Sequence, residues 1–187
     1  MNKSLILKSA IALALAAPLL ASAESDLTVG TGPAAAKLNF QVVIPRVLYL
    51  AVGTGNAALA DNTTVDLLNY DYSANPADIG SGTDSAAQNV NVRVLGNTGQ
   101  IAIGAVGSGT GLVSSLDATD IIPWTEILAA SDSAAFAAPA VGASANPTLS
   151  AGKVTNRTAI WNFRYSNTTV AAPGNYTGQV TYTATAP

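Results

Sequence analysis

The sequence predicts an all-β sandwich, and three observations predict it. Several stretches alternate apolar and polar residues with a period of two, the mark of a strand with one face on a core and the other in water. Between them lie clusters of glycine, proline, asparagine and serine, which supply turns. The one alanine-rich stretch that could coil into helix, Ala129 to Gly152, contains Pro139 and Pro147, so it reads as an extended surface loop. The clearest strand comes last. Pro173-Gly174-Asn175 is turn chemistry. After it Tyr176, Gly178, Val180, Tyr182 and Ala184 point one way, while Thr177, Gln179, Thr181, Thr183 and Thr185 point the other.

In chain order, residues 1–23 read as an export signal. Lys3 and Lys8 precede and flank an apolar run, Ile11 to Leu20, and Ala21-Ser22-Ala23 is a small-x-small cleavage site. The run is too short to span a bilayer. Residues 24–187 are then a single domain, with 24–33 as an N-terminal extension in which Leu27, Val29 and Thr31 alternate. Lys37 to Ile44 predicts a strand, with Leu38, Phe40, Val42 and Ile44 on one face and Asn39 and Gln41 on the other. Pro45 removes a ladder donor and marks an edge, bulge or kink. Val47 to Val52 continues as an apolar run, as in a strand covered on both faces.

Thr63 to Tyr72 predicts a further strand, with a bulge where the alternation slips at Leu67-Leu68. Asn89 to Leu95 places Val90, Val92 and Val94 inward, and Gln100 to Ala105 returns after Gly96-Asn97-Thr98-Gly99, so the two predict a β-hairpin. Ile121 to Leu128 contains Pro123 and predicts a short edge strand. Thr158 to Tyr165 points Trp161, Phe163 and Tyr165 inward, toward the same interior as Tyr176, Val180 and Tyr182. The expected architecture is a single immunoglobulin-like β-sandwich of about seven or eight strands with long Ala/Gly/Ser-rich loops. With only three Phe, two Trp and six Tyr, most of its core volume must come from Val, Ile, Leu and Ala.

Composition narrows the chemistry. The chain holds no cysteine and no histidine, which removes thiol nucleophiles, thiolate metal sites, the commonest general base and the commonest transition-metal ligand. Its net charge is −3, and two of its eight bases lie in the leader. The remaining bases, Lys37, Arg46, Arg93, Lys153, Arg157 and Arg164, are scattered, so there is no electrostatic footprint for nucleic acid. Asp61, Asp66, Asp71, Asp78 and Asp84 lack the alternating spacing of a calcium loop and read as turn residues. Glu126 is the only Glu beyond the N-terminus to offer a glycosidase carboxylate. Neither Lys37 nor Lys153 sits in a Ser/Lys motif, and no helix or P-loop lysine follows the glycine clusters at Gly53-Thr54-Gly55 and Gly107 to Gly111. The Asn-x-Thr triplets that begin at Asn62, Asn156, Asn167 and Asn175 are given no role. Trp124 reads as core before it reads as a sugar platform. The expectation is a non-enzyme with no cofactor and no metal.

The final strand carries a resemblance. Ala172-Pro173-Gly174-Asn175-Tyr176-Thr177-Gly178-Gln179-Val180-Thr181-Tyr182 resembles the last strand of bacterial pilin-like sandwiches, which carry a small-Gly-x-Tyr-x-x-x-Val signature. The nearest likeness is to cysteine-free fimbrial subunits of the colonisation-factor type, assembled by the chaperone–usher route. That resemblance implies an incomplete immunoglobulin fold completed by an N-terminal strand of the next subunit. Leu27 and Val29 are then the candidate donor strand. The absence of charge from Tyr176 to Pro187 implies either that a neighbour covers this strand or that it lies inside the sheet. The expected function is a secreted structural subunit of a surface fibre or matrix, fimbrial and adhesive. Its partners would be itself, other fibre subunits and a periplasmic chaperone, with no transmembrane segment once the signal is removed. The expected location is the periplasm, cell surface or exterior of a Gram-negative-type bacterium. The alternative is a monomeric envelope protein that binds carbohydrate or protein through its loops.

Overall fold

The computed structural model describes residues 25–55 and 59–187, so the predicted signal peptide lies outside the described residues. The chain divides into two units, Met1–Ile44 and Pro45–Pro187. In the first, residues 25–44 hold neither helix nor strand, and every one of them is exposed. Thr28 Oγ1 donates to the Pro33 carbonyl at 3.1 Å and the Ala35 N–H to Asp26 at 3.2 Å, closing a local loop. The strand predicted over Lys37–Ile44 is therefore not formed. A period of two reports which faces side chains take; it does not supply the neighbour whose N–H and C=O groups make a ladder.

The regular structure described in the second unit is β strand apart from three short 3-10 turns. Its strands are β1 (Leu48–Val52), β2 (Gln88–Gly96), β3 (Ala102–Gly107), β4 (Gly111–Ser114), β5 (Ile121–Pro123), β6 (Ile127–Ser131), β7 (Ser144–Ala145), β8 (Thr155–Tyr165), β9 (Tyr176–Thr177) and β10 (Val180–Thr185). Three antiparallel sheets result, in the orders β1-β2-β8-β6, β10-β3-β7 and β5-β4-β9. The core lies between the first two. Val90, Val92 and Val94 of β2 and Ala159, Trp161 and Phe163 of β8 meet Ile101 and Ile103, with Phe136 at the centre. Apart from the three aromatics, its volume is aliphatic.

The order β1-β2-β8-β6 corresponds to strands A-B-E-D of an immunoglobulin sandwich, and β10-β3 to F-C, each in the right chain order. A constant-type sandwich carries its seventh strand, G, on the free edge of F. Among the described residues nothing pairs there: β10 ends its sheet.

Four further expectations change. The predicted β2–β3 hairpin is not one, because β2 and β3 belong to different sheets. Gly96 to Gln100 carries the chain from one sheet to the other; Val90, Val92 and Val94 of β2 and Ile103 of β3 turn into the layer between, while Val106 faces out. Gly96 suits that corner, since a Cβ there would stand 2.7 Å from Ile101 Cδ1. Thr63–Tyr72 forms no strand; it is held by side chains, with Leu68 on the core and Tyr70 and Tyr72 against Tyr165 at 6.3 and 5.9 Å. Ile121–Leu128 splits around a 3-10 turn, Trp124–Glu126, with β5 and β6 going to different sheets. Ala129–Gly152 is not a surface loop. It contributes β6, β7, a wholly buried Phe136 and the buried Pro139 and Pro147. Phe136 is drawn in because its ring packs edge-on against Trp161 at 5.3 Å and its carbonyl accepts from Trp161 Nε1 and Ser131 Oγ.

Candidate assembly interface

Two features stand out, one in each unit. In the first, residues 38–44 carry an apolar stripe with nothing on it. Leu38, Phe40, Val42 and Ile44 are 77, 85, 80 and 76% exposed. Large apolar side chains are scattered singly on most surfaces, but residues 38–44 expose five of their seven as large apolar groups, Val43 included. Leu27 and Val29, the donor candidates from sequence, are also exposed and without a ladder. They lie in the loop closed by Thr28 and Asp26, followed by Gly30 at φ 115°. Residues 38–44 hold the longer and more apolar stripe.

In the second unit, β10 uses one edge for β3, in a register from Val180↔Gly107 to Thr185↔Ala102. Its other edge has no strand partner among the described residues, and the same is true of β1 beyond its ladder to β2. The two free edges adjoin: Arg46, just before β1, donates to the carbonyls of Ala186 and Pro187, just after β10. Burial weakens toward this seam. Val92, Val94, Ile101, Ile103 and Trp161 are at most 1% exposed, whereas Leu50, Val52, Tyr182 and Ala184 are only partly buried, although all four pack on the same core. Neither β1 nor β10 has a charge or a proline, the two commonest ways of blunting an edge. Of the two readings of the last strand, a place inside the sheet does not hold, because β10 is an edge.

The core residues named from sequence separate into two groups. Trp161, Phe163 and Tyr165 are buried on β8, while Tyr176, Val180 and Tyr182 are partly buried. Tyr182 joins them directly, its ring 5.2 Å from Trp161, and burial pushes its hydroxyl up to about 12. Tyr176 sits apart, on β9 in the third sheet, with its hydroxyl donating to the Ala172 carbonyl at 2.9 Å.

Glu126 has a role that sequence reasoning missed. It is 4% exposed and accepts hydrogen bonds from Ser166 Oγ at 2.6 Å, the Thr168 N–H at 2.9 Å, Thr168 Oγ1, and Thr169 Oγ1 at 2.7 Å. Burial alone would raise its pKa, but donors from Ser166, Thr168 and Thr169 outweigh it and bring the carboxyl down to about 2. A carboxylate surrounded by its own chain's donors anchors a loop and has no lone pair to spare for acid–base work. The signal in the sequence was Ser166, Thr168 and Thr169 in a row of hydroxyls, legible only once Glu126 is seen opposite. Asn167 completes the knot from the left-handed region, at φ 55°; it accepts from the Gly80 N–H at 2.8 Å and donates to the Asp78 carbonyl.

Of the aspartates weighed from sequence, Asp71 accepts from the Ser73 N–H two residues on, which is turn chemistry, and Asp66 accepts from the more distant Thr54 N–H; Asp117 makes the same kind of turn with Thr119. The Trp124 indole lies over Gly107 and Gly178, where any Cβ would stand 2.3 or 2.7 Å from it, and donates to the Gly109 carbonyl. Among the described residues no helix is long and apolar enough to cross a membrane. No family model matches the chain, and no curated protein matches it.

Proposed function

We propose that the protein is a secreted, non-enzymatic structural subunit of a surface fibre, pilin-like, in which copies join by β-augmentation. One observation carries this reading. The chain displays an apolar strand-spaced segment, residues 38–44, outside any ladder, while β10 offers an uncharged free edge at the place of the seventh strand. Each property is a liability in an isolated monomer, and each removes the other when segment 38–44 of one copy lies on β10 of the next. Burying four such side chains is worth about 1.5–3 kcal/mol each. The total, before the losses on association, is of the order of a whole domain's stability. The donor is then residues 38–44 rather than Leu27 and Val29. The resemblance of the last strand to fimbrial subunits fits the same reading, with a periplasmic chaperone covering the edge before assembly and the product at the bacterial surface.

Deleting residues 37–44 tests it. The exported chain should form fibres or oligomers visible by electron microscopy and light scattering, and the deletion should remain a folded monomer. A full-length chain that stays monomeric at high concentration would favour the alternative, an envelope protein that binds carbohydrate or protein through its loops.

A further inference from the structure

We infer that the outer face of β2 and β8 carries a binding site for one neutral sugar ring, formed by Asn91, Asp132, Thr158 and Ile160. The site lies within residues 45–187, uses neither the β1 nor the β10 edge, and does not depend on the fibre reading. Alternation puts it there. Val90, Val92, Ala159 and Trp161 turn into the core, so Asn91, Arg93, Thr158 and Ile160 turn out. The register sets Asn91 opposite Ile160 and Arg93 opposite Thr158. Asn91, Val92, Asp132, Thr158, Ala159 and Ile160 line a depression of about 220 Å³.

A break in the sheet shapes it. The β6–β8 ladder ends at Ser131↔Trp161, and Asp132 closes it. Its N–H donates to the Ile160 carbonyl at 3.1 Å, and its Oδ1 accepts the Ile160 N–H at 2.9 Å. Two residues along β8, the Thr158 peptide group faces the same way, with no strand opposite it among the described residues. Cover resumes at Asn156, whose N–H and carbonyl both bond Ser150 Oγ, at 2.8 and 2.9 Å. The gap is one peptide group wide, too short for a strand to pair.

The chemistry around the gap selects the ligand. Asp132 Oδ2, the Asn91 amide, the Thr158 hydroxyl and the Arg93 guanidinium make no hydrogen bond among the described residues. The adjacent Asn89 and Asn162 amides, by contrast, are bonded to each other at 2.7 Å. An anion would meet the Asp132 carboxylate, a cation the Arg93 guanidinium, and an apolar molecule would strip both of water without replacing it. An uncharged ligand with donors and acceptors on neighbouring atoms satisfies acceptor and donor together, as the hydroxyls of a pyranose do. Ile160, 37% exposed, offers an apolar surface to the C–H face of the ring. The depression is smaller than the about 300–1,000 Å³ of sites for drug-sized molecules, and suits one ring rather than a chain.

Saturation-transfer NMR reads binding from the ligand's own protons and tolerates large assemblies, so the full exported chain serves whether or not it polymerises. The probes are D-galactose, D-mannose and N-acetyl-D-glucosamine, with D-glucuronate and D-glucosamine as charged controls. At least one neutral sugar should receive saturation, with a Kd of the order of 1 mM, and both charged sugars should receive less. D132N keeps an oxygen for the Ile160 N–H but replaces the free carboxylate oxygen, and T158V keeps the shape but loses the hydroxyl. Each should weaken binding about fivefold to tenfold, the worth of one hydrogen bond, with the Tm unchanged. N89A, on the same face outside the depression, should bind as wild type does. Should D132N lower the Tm, T158V decides alone. The inference is overturned if no neutral sugar receives saturation at about ten times that concentration, or if a charged control binds as well as the best neutral sugar. It is equally overturned if T158V binds like wild type, or if N89A loses as much as T158V. None of these outcomes bears on the fibre reading, which stands or falls with the deletion of residues 37–44.

Discussion

At the scale of single residues, stability is concentrated in one polar knot and one aromatic one. The Glu126 carboxyl lies at about 2 in the folded chain against an ordinary 4.5. Its contribution is therefore complete above about pH 5 and is lost as the pH falls through 4.5 toward 2; by linkage it amounts to about 3 kcal/mol. Asp71 and Asp117 are also lowered, by hydrogen bonds from Ser73 and Thr119, so the comparison that isolates Glu126 is with E126Q. Urea unfolding at stepped pH should show most of the acid slope vanishing in E126Q, with lower stability at pH 7; an unchanged slope would remove Glu126 from the account. The aromatic knot is Trp161, fully buried between Phe136 and Tyr182. W161A should cost about 3–5 kcal/mol, close to the whole stability of a marginal domain. A loss under about 1 kcal/mol would mean that β8 presents its other face to the core.

At the scale of elements, the segment 38–44 and strand β10 obey the same local rule and end differently. Both alternate with period two, yet β10 finds β3 and is a strand, while 38–44 finds nothing among the described residues and is not. Its four apolar side chains should therefore matter to association and not to the domain's own stability. Placing charge on the stripe with F40D and V42D should abolish oligomers, because a carboxylate buried in a β seam is uncompensated. The unfolding midpoint of the monomer should move by less than about 0.5 kcal/mol, as expected for exposed positions. A large loss of monomer stability would show that these residues already belong to their own domain's core.

At the scale of the molecule, residues 45–187 form an immunoglobulin-like sandwich in which one edge of β10 has no strand partner among the described residues. Its centre, where β2 and β8 face Ile101 and Ile103, is buried, and its rim along β1 and β10 is only partly so. The aliphatic core anticipated from three Phe and two Trp is the one found. The rim carries the candidate interface, and half of it was legible beforehand: the uncharged last strand was visible as a row of threonines and tyrosines. The stripe at 38–44 is plain as a pattern, with Leu38, Phe40, Val42 and Ile44 on one face of a predicted strand, but among the described residues no ladder forms there.

The sequence by itself determined the class of the fold and the inward faces of its strands, because alternation and turn chemistry act over two to four residues. Val90, Val92, Val94, Trp161, Phe163 and Tyr165 all turn inward as their spacing requires. Only the tertiary structure decided which strands pair, because a ladder partner lies tens of residues away and leaves no local trace. Thus Gly96 to Gln100 looks like a hairpin and is a crossing between sheets, Phe136 looks like part of a loop and sits at the centre of the core, and Glu126 looks isolated until Ser166, Thr168 and Thr169 fold onto it. The same distance hides the open edge of β10, since an unpaired strand and a paired one are written in the same residues.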